Sequence, residues 1–167
     1  MTTTTLPNYL EDKQGKKGLM VWLTTHDHKR IGLMYLAALS VFFIVGVLIG
    51  ILMRLELLNP GKDIVDPQTY NSLFTLHGVI MIFLFVIPGI PAVFGNIALP
   101  LIIGARDVAF PKLNLFSWYL YMFGAMLALG TLLVGDGPPD TGWTFYAPYS
   151  VKTGTNVTMA VFAAFIL

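Results

Sequence analysis

The 167-residue chain is 56 % hydrophobic and only 11 % charged, against about 25 % charged in soluble domains, so a water-soluble globular fold is excluded. Its net charge of +1 gives no bulk attraction to polyanions, and no nucleic-acid partner is expected. There is no cysteine, which removes disulfides and thiolate metal ligation.

The chain opens with a polar segment holding Lys13, Lys16 and Lys17. The first apolar run is too long for a signal-peptide core, so residues 1–31 are expected to stay in place as a cytoplasmic tail. His26 and His28 lie in this segment. A His-x-His pair can hold a metal, but within a charged stretch it also reads as solvated surface. From Gly32 to Met53 there is no charge, and Arg30 and Arg54 close the run on either side. A membrane-spanning helix needs about 20 apolar residues, so this is the first predicted span. The second runs over 73–103, with His77 as its sole ionisable residue and Pro88 and Pro91 predicting a kink. The third covers 115–135 and opens on Trp118, Tyr119 and Tyr121, an aromatic belt of the kind found at membrane interfaces. A fourth begins at Val157 and is still apolar at Leu167, which predicts a span cut short and a chain that is a fragment. The expected fold is therefore all-α, a polytopic transmembrane helix bundle over 32–167.

Loop charges set the orientation. Lys13, Lys16, Lys17, Lys29, Arg30, Arg106 and Lys112 fall on one side, and Arg54, Lys62 and Lys152 on the other. The tail and the Arg106 loop are expected at the cytoplasm, with the Arg54 and Lys152 loops outside.

His77 is the most informative position. An ionisable group inside a span is costly and is a functional candidate by default. Its helical neighbours Leu73, Ile80, Met81 and Leu84 are apolar, which favours neutral imidazole, the metal-ligating form. The residues leave two readings open, a metal ligand or a histidine hydrogen-bonded to another helix. Arg54, near the same outer side, is either an interfacial anchor or a guanidinium aimed at a polar group of whatever His77 holds. Asn96 is a primary amide among apolar residues and needs partners or water. Asp107 sits in the following loop beside Arg106, and Asn114 lies seven residues on. The three read either as surface and packing groups or as the mouth of a water-filled proton path.

Six strings carry a resemblance. They are Thr25-His-Asp-His-Lys-Arg-Ile-Gly32, Met53-Arg-Leu-Glu-Leu57, Thr75-Leu-His-Gly-Val-Ile-Met-Ile-Phe83, Phe94-Gly-Asn96, Pro100-Leu-Ile-Ile-Gly-Ala-Arg-Asp-Val-Ala-Phe-Pro-Lys-Leu-Asn114 and Thr141-Gly-Trp-Thr144. In this order the chain resembles the N-terminal part of subunit I of the haem–copper oxidases, a twelve-helix membrane fold, and most of all the bacterial cytochrome c oxidases. The resemblance implies that His77 ligates a low-spin haem, of type a, and that Arg54 donates to its formyl group. It implies Asp107 at the entrance of a proton channel, with Asn96 and Asn114 ordering water above it. It places Trp143 near the haem propionates and Glu56 and Gly61 at an outer cation site. It also implies a bacterial plasma-membrane enzyme that passes electrons from cytochrome c to oxygen, forms water and pumps protons. Its partners are oxidase subunits II and III and membrane lipid.

The family's second low-spin haem ligand, copper histidines, cross-linked tyrosine and high-spin haem ligand find no match in these residues. The high-spin haem and copper are expected from sequence beyond Leu167, and no catalytic residue is assigned. Where the family has Tyr-Pro-Pro-Leu, this chain has Tyr146-Ala-Pro-Tyr149. A quinol oxidase of the same superfamily is the alternative, but its quinone-site residues map to Thr69, Ser72, Val45 and Ile49 and are absent. An alternative from another class is a non-catalytic membrane bundle or transporter subunit.

Overall fold

The structure is a computed structural model that describes residues 18–61, 64–134 and 137–167. The expectations resting on Lys13, Lys16, Lys17 and Lys62 lie outside the described residues. All regular structure among the described residues is helical. A short helix α1 (Leu19–Leu23) precedes α2 (His28–Glu56). Asp27 caps α2 by accepting the Lys29 N–H at 3.0 Å, satisfying one orphan donor of the first turn. The cap starts the helix ahead of the uncharged run at Gly32 and carries His28 and Arg30 onto it.

α3 (Pro67–Val79) is capped by Asp66, which accepts from the N–H groups of Gln68 and Thr69 at 2.9 and 3.1 Å. Pro67 fills the first helical position, where no N–H is needed. The chain continues through two π-helical stretches, Ile80–Val86 and Gly89–Phe94, into α4 (Gly95–Ile103). Pro67–Ile103 is thus one helical rod of 37 residues. α5 (Pro111–Gly130), α6 (Tyr149–Lys152) and α7 (Val157–Ile166) follow. Three rods, His28–Glu56, Pro67–Ile103 and Pro111–Gly130, are long and apolar enough to cross a membrane. Large apolar side chains such as Ile44, Leu48 and Met126 stay more than half exposed, which water does not tolerate over a whole helix face. The chain is a multi-pass helical membrane protein.

α2 is the hub. It packs along α3, both π-helical stretches and α4, and on its other flank against α5, which in turn packs on α7. The buried core gathers near the N-terminal half of α2. There Tyr35 meets Trp118 edge-on at 5.0 Å between ring centroids, and Tyr121 at 5.2 Å. This leaves the C-terminal half of α2, around Gly46–Arg54, free to build something other than core.

The π-helical turns stand where a kink was expected, and they have a local cause. In an α-helix the carbonyl of Leu84 accepts from the N–H of residue 88, but residue 88 is proline and has none. The buried Tyr121 hydroxyl donates to the Leu84 carbonyl at 2.8 Å from α5. A neighbouring helix thus satisfies a carbonyl that the proline deprives of its α-helical donor, as apolar surroundings require. Tyr121→Phe is expected to destabilise the bundle by about 1 kcal/mol, read as a lower midpoint in detergent unfolding. An unchanged midpoint would mean that the wide-turn backbone alone satisfies Leu84.

Candidate functional site

The site is built where α2 and α3 touch. His77 Nδ1 lies 2.8 Å from the Gly46 carbonyl oxygen. A carbonyl can only accept, so Nδ1 carries the proton and donates. In the neutral ring Nε2 then holds the free lone pair, the arrangement in which imidazole ligates a metal. The contact needs close helices. A Cβ on Gly50 would stand 3.0 Å from the His77 ring carbon Cε1, tighter than side chains normally accept. Gly46, Gly50 and Arg54 are spaced by four residues and so share one face of α2. His77, Gly50 and Arg54 line a groove of about 570 Å³ whose other walls are apolar, among them Val47, Ile51 and Leu55. One imidazole, one guanidinium and an apolar trough form a cradle that a larger residue at position 50 would fill.

Glu56 and Gly61 line a separate open pocket of about 530 Å³ in the loop after α2. The buried Glu56 carboxylate accepts from the N–H groups of Ile64 and Val65 at 2.8 and 3.0 Å, both on Oε2. It folds this loop back over the helix end. Among the described residues no three His, Cys, Asp or Glu side chains gather as a metal cluster. A cation beside Glu56 therefore needs further oxygens from backbone or from elsewhere.

Trp143 is carried by the loop between α5 and α6 and lies against Gly78, the residue after His77. A Cβ there would sit 2.9 Å from Trp143 Cδ1. The loop is pinned by Gly142, whose N–H donates to the buried Thr75 hydroxyl at 2.8 Å. It is pinned again by Asp140. This buried carboxylate accepts from Gln68 and Tyr149 at 2.6 Å each, and from Thr153 and Thr155 at 3.1 Å each. Burial by itself raises the Asp140 pKa, but the donors Tyr149, Gln68, Thr153 and Thr155 together outweigh it and hold the carboxyl below its usual value. The Tyr149 phenol is pushed up, chiefly because its O–H is donated to Asp140. Sequence reading missed this cluster. A carboxylate in a Pro-Pro-Asp-Thr-Gly turn carries no mark of burial, and its donors are scattered over 87 positions, from Gln68 to Thr155.

At the opposite end of the bundle, Asp107 pairs with the buried His28, Nδ1 to Oδ1 3.0 Å, and also accepts the Val108 N–H at 2.7 Å. Asn96 and Asn114 bond each other reciprocally. The Asn96 amide donates at 3.2 Å and the Asn114 amide at 2.5 Å, while Asn96 also donates to the Ala92 carbonyl at 2.7 Å. One turn further along α5, Ser117 donates to the Asn114 carbonyl at 2.7 Å and bonds the Tyr35 hydroxyl at 3.0 Å. A carboxylate at the surface and a polar seam among apolar helices thus share one end. His77 and Arg54 share the other.

Three helices long and apolar enough to cross a membrane, with an imidazole beside an apolar groove at one end and a carboxylate and paired amides at the other, define a multi-pass membrane protein. Residues 30–167 match the family described as cytochrome c and quinol oxidase polypeptide I. The chain belongs to that family, and membership implies haem and copper as its cofactors. The chain is 50 % identical over 127 residues to a putative cytochrome c oxidase subunit 1-beta of Streptomyces avermitilis, covering 76 % of this chain and 22 % of that protein. It is 43 % identical over 153 residues to cytochrome c oxidase subunit 1 of Corynebacterium diphtheriae, covering 86 % and 27 %. To cytochrome c oxidase subunit 1 of Alkalihalophilus pseudofirmus it is 44 % identical over 140 residues, covering 84 % and 22 %. The chain therefore spans about a quarter of the length of these relatives.

The depressed Asp140 pKa makes a pH-dependent contribution with a definite sign. A carboxyl that is more acidic folded than unfolded stabilises the fold fully above its unfolded value, about 4. The stabilisation is lost as pH falls through the lower folded value. Melting midpoints of the full-length protein should therefore drop below about pH 4 by more than those of Asp140→Asn. Parallel curves for the two proteins would show that the ionised carboxylate adds nothing.

Proposed function

We propose that this chain forms the N-terminal part of the catalytic subunit of a respiratory oxidase that passes electrons from cytochrome c to oxygen, forms water and pumps protons. The observation that carries the reading is the His77–Gly46 hydrogen bond. It fixes the imidazole tautomer and leaves Nε2 as a ligand on a ring that lines an apolar groove.

In this reading His77 would hold a low-spin haem of type a through Nε2, and the haem, when bound, would supply one-electron transfer. The Gly46 carbonyl would hold the His77 ring and raise its basicity. Arg54, in the same groove, would donate to a polar haem substituent and so tune the potential, while the apolar walls exclude water. Trp143, against Gly78, would lie near the haem propionates. The high-spin haem and copper belong to other parts of the subunit. Glu56 and Gly61 contribute to a cation site on the outer side.

Asp107 collects protons at the cytoplasmic mouth, with His28 bonded to its carboxylate. Asn96 and Asn114 order the water path above it. The buried Asn96, its bond to the half-buried Asn114 and the continuation through Ser117 to Tyr35 support a polar route there. Cytochrome c is favoured over quinol as donor. The relatives named above are cytochrome c oxidases. Two of the positions where a quinone site would lie are taken up internally, Thr69 by Asp66 and Ser72 by the Pro138 carbonyl. The Lys and Arg asymmetry of the loops supports a cytoplasmic N-terminus, and the bacterial relatives support the bacterial plasma membrane. Subunits II and III and membrane lipid are the proposed partners.

Two experiments on the full-length oxidase test this. Reduced-minus-oxidised spectra should lose the low-spin haem band in His77→Ala, and in Arg54→Met the band should shift. A band untouched by His77→Ala overturns the ligand assignment. Asp107→Asn should slow turnover by roughly tenfold or more and abolish pumping at unchanged haem content. Proton uptake equal to wild type would remove Asp107 from the path.

A further inference from the structure

We propose that Asp140 is a positioning residue for the haem site: its carboxylate braces the Trp143 loop against the back of α3 and thereby sets how His77 meets α2. The proposal rests on the reading of His77 as a haem ligand.

The loop has little apolar burial to hold it. Trp143 is 40 % exposed, Tyr146 78 % and Val151 80 %. Its order comes from polar contacts, and these converge on Asp140, which is itself only 7 % exposed. Four side-chain donors reach its two oxygens. Gln68 comes from the first turn of α3, and Tyr149, Thr153 and Thr155 come from the segment that follows the loop. A carboxylate accepts several bonds at once, so one group ties α3 to both sides of the loop. Replacing it takes the acceptor from all four, and leaves Thr153 and Thr155 only their bond to each other at 3.1 Å.

The brace is on the right side of the helix. At about 100° per residue, Gln68 and Thr75 lie about 20° apart around α3 and roughly 160–180° from His77. Asp140 holds Gln68, and the Gly142 N–H holds Thr75. The loop therefore backs α3 on the face opposite the one His77 turns towards Gly46 and Gly50. Trp143 closes the corner at Gly78, about a quarter turn from His77. With α2 in front and the loop behind, α3 has neither rotation nor depth left to vary. The imidazole is tied to α2 through the 2.8 Å bond to the Gly46 carbonyl, so a roll of α3 changes the ring angle or breaks that bond.

The test uses the assembled full-length oxidase and compares Asp140→Ala, Tyr149→Phe and Trp143→Phe with wild type. Hydrogen exchange reads the brace, and the electron paramagnetic resonance g values and midpoint potential of the low-spin haem read the ligand. Asp140→Ala should speed exchange of the Gly142 amide about tenfold or more. At wild-type haem content it should shift both g values and potential. Tyr149→Phe, which removes one donor of four, should move both in the same direction by less. Wild-type g values and potential alongside faster exchange would overturn the proposal, since the loop would then be held without the histidine feeling it. If Asp140→Ala fails to assemble, Tyr149→Phe decides alone by the same criterion. An otherwise unaltered oxidase whose low-spin haem survives His77→Ala would instead overturn the ligand reading, while exchange in the α3 peptide would still report on the brace.

Discussion

The structure at the His77 end depends on how closely α2 and α3 approach. A histidine in an apolar layer has an N–H that must be given away, because no water is there to take it. What α2 offers is the second lone pair of a main-chain carbonyl at Gly46, and His77 takes it at 2.8 Å. Any side chain at position 50 would press on the ring. Glycine on one helix and imidazole on the next are therefore a single device. The short distance satisfies the donor, and in the neutral ring the satisfied donor fixes the tautomer and leaves the Nε2 lone pair free.

The other end solves the opposite problem. His28, Asp107, Asn96, Asn114, Ser117 and Tyr35 bring polar groups into a bundle whose surroundings are apolar, and each finds a partner on another element or on its own helix backbone. A polar seam of this kind is tolerable only when satisfied, since unpaired groups in low dielectric cost the most. The same logic explains the proline-rich middle of the long rod, where Tyr121 reaches over from α5 to the Leu84 carbonyl. Both ends show helices exchanging hydrogen bonds where a soluble protein would use water.

Much of the architecture was readable from residue order. Spans, loop charges and the oddity of His77, Asn96 and Asp107 all follow from one rule: polar atoms in an apolar layer need a reason. Chain ends of helices were less readable, because Asp27, Asp66 and Pro67 act as caps outside the apolar runs and extend α2 and α3 beyond them. The partner of Asp107 was not readable, since His28 lies 79 positions away. Pro88 and Pro91 predicted an irregularity, and π-helical turns stand around them.

Hydropathy, charge placement and residue type, all local properties of the chain, by themselves determined an all-α membrane bundle and marked out its candidate positions. Which groups meet was decided only in three dimensions. Gly46 is one small residue among many until the helices are packed, and then its carbonyl fixes the His77 proton. Asp140 reads as a surface turn until Gln68, Tyr149, Thr153 and Thr155 converge on it. Hydrogen bonds between distant segments depend on separations of a few tenths of an ångström, and nothing in residue order encodes those until the helices have packed.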